Sequence, residues 1–212
     1  MEFFDVVHSQ RAIRRFKGDS VPQATLWKVL DAAIRAPSGS NTQPWIWLVV
    51  QDEAKRKALA EKVRETMGGA GRIATLRETG RNSPDATQRR TSRFAAGLME
   101  NVAQAPVIVI PCLFKAASPT TDQRSIFAGS SIYQAVQNLL LAARAEGIGT
   151  CFTTFNIRME DWLRQEFHLP ADALPTCVIP MGYPDRQNFG TTNRKAIETV
   201  TYWDDWGKAK KR

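Results

Sequence analysis

Two segments near the start of the chain hold the residue types from which a binding site can be built. In Gln10-Arg11-Ala12-Ile13-Arg14-Arg15-Phe16, three guanidiniums fall within five residues. A guanidinium fork donates two coplanar hydrogen bonds to a phosphate, and each charge-assisted bond contributes roughly 1.5–3 kcal/mol before ordering costs. In Ala36-Pro37-Ser38-Gly39-Ser40-Asn41-Thr42-Gln43-Pro44-Trp45, small, amide-bearing and turn-forming residues stand where a helix gives way to a strand. Hydroxyls and carboxamides offer donors and acceptors without charge, which suits the edge of a polar planar ring. A ligand joining a phosphate to such a ring, as flavin mononucleotide (FMN) does, would use both the clamp and the cradle.

Other constellations lack the context their chemistry needs. Gly69-Ala70-Gly71-Arg72-Ile73-Ala74 spells a dinucleotide fingerprint, but it follows the charged stretch Glu61 to Met67, and the fingerprint works only between a buried strand and a helix N-terminus. His8 and His168 are the only histidines, too far apart and too poor in neighbouring thiolates or carboxylates to propose a metal site. No Ser/His/Asp set or G-x-S-x-G turn is present, so hydrolysis lacks equipment. No side chain is assigned as catalytic; the chemistry is left to a bound cofactor.

The 212 residues, 43% hydrophobic, suit one domain over 1–212 with a substantial core. The N-terminal residues are acidic and the apolar runs are strand-sized, so the chain reads as cytoplasmic, without export or membrane insertion. Cys112, Cys151 and Cys177 lie in apolar sequence and read as reduced core residues. The net charge of +8 invites a nucleic-acid partner, yet the positive residues are dispersed among the clamp, Arg72 to Arg93 and the tail from Lys208, without a reading helix or an Arg-Gly-aromatic repeat. No nucleic-acid partner is expected; long-range attraction of phosphorylated ligands explains the same charge.

Hydrophobic spacing supplies the elements that must hold these residues. Val21-Pro22 with Leu26, Val29, Leu30 and Ala33 predicts a helix opened by proline, followed by a strand over Trp45 to Val50 and a polar helix over Glu53 to Met67. Residues 68–92 show little periodicity and are expected to form an irregular excursion, the first part of a candidate lid over 68–100, ahead of a short helix from Phe94 to Asn101. Val107 to Phe114 predicts a central strand, apolar on both faces. Ser130 to Ala145 carries an apolar band wide enough to call for a subunit interface as a second neighbour. Cys151 to Phe155 and Thr176 to Met181 predict further strands around a helix over Met159 to Phe167. The class is mixed α/β or α+β. Trp203 and Trp206 sit in a tail with no core of its own.

The order of these motifs resembles the FMN-dependent nitroreductase family. The similarity is carried by the Arg-rich segment before Phe16, Pro22, the Ala36-to-Trp45 loop, Gly129-Ser130-Ser131, Gly147-Ile148-Gly149-Thr150, Met181-Gly182-Tyr183-Pro184, and Arg194 before the Trp-rich tail, with residues 68–100 least family-like. The resemblance implies a nitroreductase-like α+β fold: a central, mostly antiparallel sheet flanked by helices. It further implies a homodimer with FMN at the subunit boundary and an extended C-terminal arm over 184–212. It implies ping-pong hydride transfer from NADPH or NADH through FMN to a small-molecule acceptor such as a nitroaromatic or quinone. Carried over residue by residue, it places Gln10, Arg11, Ala12 and Arg14 along the phosphate and ribityl chain, with Arg194 approaching the phosphate. Pro37, Ser38, Asn41 and Gln43 fall at the ring edge and ribityl hydroxyls, and Thr153 and Thr154 on the flavin N5 and O4 side. Gln10 and Ala12 depart from the Arg and Ser of most relatives, leaving one charge and one hydroxyl to be made up, for example by Arg15. An arginine between Arg72 and Arg93 is a candidate contact for the 2′-phosphate of NADPH. Reductive dehalogenase, enone reductase and flavin-destructase chemistries share the pattern, and a non-catalytic basic binding module is the rival from another class.

Overall fold

The computed structural model describes residues 1–186 and 189–210. Gln187, Asn188, Lys211 and Arg212, which belong to the expected arm, lie outside the described residues. The organising element is strand β2 (Val107–Phe114). On one edge it pairs with β1 (Trp45–Val50), Trp45 opposite Leu113 and Val50 opposite Ile108; on the other, its Val107 faces Met181 of β5 (Ile179–Gly182). The far edge is β3 (Gly149–Thr150), whose Gly149 faces Gly182, while β4 (Ala173–Pro175) pairs with the end of β2. Every one of these strand pairs is antiparallel.

Alternation along β2 sets the layers. Val107, Val109 and Leu113 point into one core with α2 (Gln23–Ala33) and α6 (Gly129–Ala145). Ile108, Ile110 and Cys112 point into another with α3 (Glu53–Thr66), α5 (Ala86–Asn101) and α7 (Glu160–Glu166). The fold is α+β, as expected. Pro22 precedes the first turn of α2 and Leu26, Val29 and Ala33 form its buried stripe. On α6, α2 and the sheet together bury Ile132, Val136, Leu139, Leu140 and Ala143, so the width of its band does not in itself require a second subunit.

Residues 68–92 are not irregular. They form α4 (Gly69–Asn82) and the first half of α5, broken at Ser83–Asp85, where the Asp85 side chain accepts hydrogen bonds from the Thr87 and Gln88 amides. The hairpin escapes periodicity because a small residue makes its closest contact: Gly80, the buried residue of α4, lies against Arg93 of α5. Arginines do the rest. The Arg89 guanidinium donates to the Ser83 and Pro84 carbonyls at 2.7 and 3.0 Å, Arg93 Nε donates to the Gly80 carbonyl at 2.7 Å, and Arg77 pairs with Glu100 at 2.6 Å. The dinucleotide-like run opens α4 directly after α3, not after a strand.

The strand expected over Cys151 to Phe155 is also corrected. The Cys151 amide donates to the Pro180 carbonyl, but proline has no N–H to return, and the ladder beyond β3 shrinks to a bridge between Thr153 and Val178 before a 3-10 turn at Phe155–Arg158. All three cysteines are buried and unpaired; burial raises each thiol, Cys112 and Cys177 to about 12. Among the described residues, no helix is long and apolar enough to cross a membrane.

Candidate active site

The clamp is a strand-like ribbon fastened to the sheet edge. The Ile13 amide donates to the Thr150 carbonyl at 2.8 Å, Lys17 to Tyr183 at 2.8 Å, and Asp185 to Arg15 at 3.1 Å, with Ala12 bridging Thr150 and Phe16 bridging Pro184. Ile13 and Phe16 are buried against Ala105, and Phe189 packs on the same cluster. Those two anchors leave Arg11, Arg14 and Arg15 on the open side, where they line a cleft of about 280 Å³. Arg93, Phe94 and Gly97 of α5 form its opposite wall, and Asp185 and Arg186 complete it. Five guanidiniums thus face one carboxylate. Among the described residues none of the five is within ion-pair distance of any carboxylate, Asp185 included, so no ion pair relieves the repulsion among them. The Arg14 guanidinium lies over the Phe94 ring, 5.2 Å from its centroid. Ala12 lines the cleft; Gln10 is not among its lining residues, and its backbone amide closes α1 (Phe3–Ser9) on the Val6 carbonyl.

The cradle is a tight loop held from inside. Ser38 Oγ accepts from the Gln43 amide at 2.9 Å, the Gly39 amide donates to Ser131 Oγ at 3.1 Å, and the Ser40 and Ser118 hydroxyls are 3.1 Å apart. Ser40, Asn41 and Gln43 all adopt positive φ, near 50°. Three non-glycine residues in the left-handed region within four positions cost on the order of 1–3 kcal/mol each, a strain that persists only where surrounding contacts enforce it. Pro37, Asn41 and Gln43 remain exposed, with Gln43 Nε2 donating to Asn41 Oδ1 at 3.3 Å.

Clamp and cradle do not meet within one chain. The cradle is tied to Ser131 at the N-terminal end of α6, whereas the clamp is tied to Thr150, beyond its C-terminal end. A helix of 17 residues is about 25 Å long. Thr153 turns both of its donors, amide and hydroxyl, to the Val178 carbonyl at 3.1 and 2.7 Å and closes the sheet instead of offering a donor outward; Thr154 beside it is exposed. Arg194 is exposed, donates to the Asn193 carbonyl, and does not line the cleft. Arg93, Gly97 and Arg186 were missed as clamp residues. Arg93 was hidden in a run of six arginines without visible periodicity, and Arg186 lies just past the Tyr183-Pro184 motif.

Residues 7–183, which include the clamp ribbon from Arg11 to Arg15, Arg93, the cradle and both threonines, match the Nitroreductase family. The chain belongs to the nitroreductase family. Its curated relatives include the NADH dehydrogenase of Thermus thermophilus, 28% identical over 198 residues and 92% of each chain. They also include the 4-nitrobenzoate reductase of Nocardioides sp., 29% identical and covering 97% of this chain and 92% of that one. The fold is shared with the FMN-dependent nitroreductase NfnB of Mycobacterium smegmatis, solved in complex with NADPH, at a TM-score of 0.72 and 24% identity over 95% of this chain and 97% of that one. This nitroreductase-family chain is an oxidoreductase. Arg194 and the tail lie beyond the matched residues.

Proposed function

We propose that this protein is an FMN-dependent NAD(P)H oxidoreductase of nitroreductase type, which passes electrons in pairs from NADPH or NADH to a nitroaromatic, a quinone or a related small electrophile. The observation that carries the reading is the cleft in which five guanidiniums, four of them carried by a buried ribbon and a helix, face no carboxylate within ion-pair distance among the described residues. A phosphate monoester is the part of FMN that such a donor set fits. When bound, FMN supplies a ring that accepts a hydride equivalent and returns it to a second substrate. The chain binds and orients: Arg11 and Arg14 take the phosphate, Phe94 holds the Arg14 plane, and the neutral amides of Asn41 and Gln43 meet the polar edge of the ring.

Since clamp and cradle sit at opposite ends of α6, one flavin reaches both only if the cradle comes from a second copy, which supports a homodimer with FMN at the boundary. The tail favours the same assembly: Trp206 is 91% exposed and, among the described residues, meets one aromatic ring, that of Tyr202, tilted at 4.9 Å between centroids, while Trp203 is half exposed beneath the Lys210 ammonium. Truncation before Tyr202 is expected to weaken the dimer, read as a concentration-dependent shift to monomer in sedimentation; a truncated protein as tightly dimeric as the full chain removes the arm from the interface. The three buried, unpaired cysteines suit a cytoplasmic setting.

The decisive experiment is a visible spectrum of protein incubated with FMN and desalted, then treated anaerobically with NADPH and with NADH. Retained flavin bands that bleach are expected. A colourless protein overturns the reading in favour of a basic binding module, and a yellow one that neither nucleotide bleaches overturns the donor.

A further inference from the structure

The wall of the cleft opposite the clamp is one turn of α5, and its side chains are placed for a ligand. Arg93 and Gly97 are four residues apart and share a helix face. Gly97 is buried, yet a Cβ built on it meets nothing within 4 Å, so the helix surface beside Arg93 is left open toward the cleft. Arg93 itself is half committed. Its Nε donates to the Gly80 carbonyl at 2.7 Å, and its two terminal nitrogens have no hydrogen-bond partner and no carboxylate among the described residues. Its stem is also fixed. A Cβ on Gly80 would lie 2.7 Å from Arg93 Cγ and 3.2 Å from the Arg93 amide, so α4 and α5 approach this closely only because residue 80 is glycine. One residue on, Phe94 lies under the Arg14 guanidinium. The helix therefore carries into the cleft a cation without a carboxylate partner among the described residues, and supports another.

We infer that Arg93 is a phosphate ligand delivered by α5 and aimed by the Gly80 carbonyl, so that the phosphate of the cofactor is held between the ribbon 11–15 and the α4–α5 hairpin. The inference rests on the reading of the cleft as an FMN phosphate site. It gives the hairpin a role other than a mobile cover. A guanidinium whose Nε is already bonded loses little further freedom when its terminal nitrogens bind an oxyanion, which favours binding.

The test is a fluorescence titration of the flavin-free protein with FMN and, in parallel, with riboflavin, which has the same ring and ribityl chain without the phosphate. Arg93→Ala and Arg93→Gln are each compared with the unaltered protein, and thermal unfolding of the unliganded variants reports on the fold. Gln keeps a donor near Gly80 but no charge, and serves where Ala fails to fold. The expected result is a loss of FMN affinity of about tenfold in either variant, the size of one charge-assisted contact, with riboflavin affinity unchanged within about twofold. Unchanged FMN affinity, in a protein that still prefers FMN over riboflavin, removes Arg93 from the site and leaves the proposed function standing. Equal losses for both flavins make Arg93 a structural residue and overturn the inference. An unaltered protein that does not prefer FMN over riboflavin overturns the phosphate reading of the cleft itself.

Discussion

Arg14→Ala is expected to weaken FMN binding by about ten- to a hundredfold, because one guanidinium contributes one or two charge-assisted bonds of roughly 1.5–3 kcal/mol and each 1.4 kcal/mol is a factor of ten. Arg14 is the clamp residue best prepared for that duty. Its backbone follows the buried Ile13, its charge lies over the Phe94 ring, and its nearest hydrogen-bond acceptor is the Ala12 carbonyl at a long 3.5 Å. With no carboxylate to release, the substitution should leave the unfolding midpoint of the unliganded protein nearly unchanged. Flavin retained after ultrafiltration reads the first effect and circular dichroism the second. Unaltered retention would remove the phosphate from this cleft. Arg194→Ala is the comparison: within one chain Arg194 does not line the cleft, so a loss of FMN confined to the dimeric protein would assign its role to the arm.

Gly149→Ala should damage stability and binding together. A Cβ at position 149 would fall 2.7, 2.8 and 2.9 Å from Cγ2, Cβ and Cγ1 of Ile13. Ile13 cannot swing aside, since its branch point is among the clashing atoms and its amide is bonded to Thr150. Overpacking of this kind costs about 1–3 kcal/mol, and for a chain of this size each kcal/mol lowers the unfolding midpoint by about 2–4 °C. The displaced residue lies between Arg11 and Arg14, so the geometry of the clamp goes with it, and FMN affinity should fall although no charge has been removed. Gly71→Ala is the control. It adds a methyl group to an exposed position of α4 with nothing within 4 Å, where alanine is the better helix former, and should leave flavin binding intact. Equal behaviour of the two variants would show that the contact between Gly149 and Ile13 does not set the clamp.

The sequence made the central strand and the first core helix readable because β2 is apolar on both faces and because Pro22 and the spacing of Leu26, Val29 and Ala33 mark a helix by local chemistry. The α4–α5 hairpin was illegible for the opposite reason. Its closest approach is Gly80 against Arg93, and its fastenings are arginine-to-carbonyl bonds, none of which leaves a hydrophobic period. Arg11, Arg14 and Arg15 stood out as a cluster in sequence. Arg93 and Arg186 join them only through folding, and no spacing rule announces that. Thr153, which the family resemblance sets on the flavin N5 and O4 side, bonds both of its donors to the Val178 carbonyl, a pairing that no spacing in the sequence announces.

The ribbon that bears the clamp is attached at Thr150 and at Tyr183–Asp185, so residues from nearly opposite ends of the sequence must be in place before the arginines converge. During synthesis, an emerging chain can build β1, β2 and most of its helices while its cofactor pocket still lacks a wall. On the proposed reading of the cleft, flavin capture is a late event that waits for the chain to close its final sheet contacts. Once made, that capture raises the unfolding free energy of the whole domain with the logarithm of free cofactor concentration. Cells short of flavin would accordingly hold this protein in a less durable form, one more readily cleared by proteolysis than the loaded enzyme.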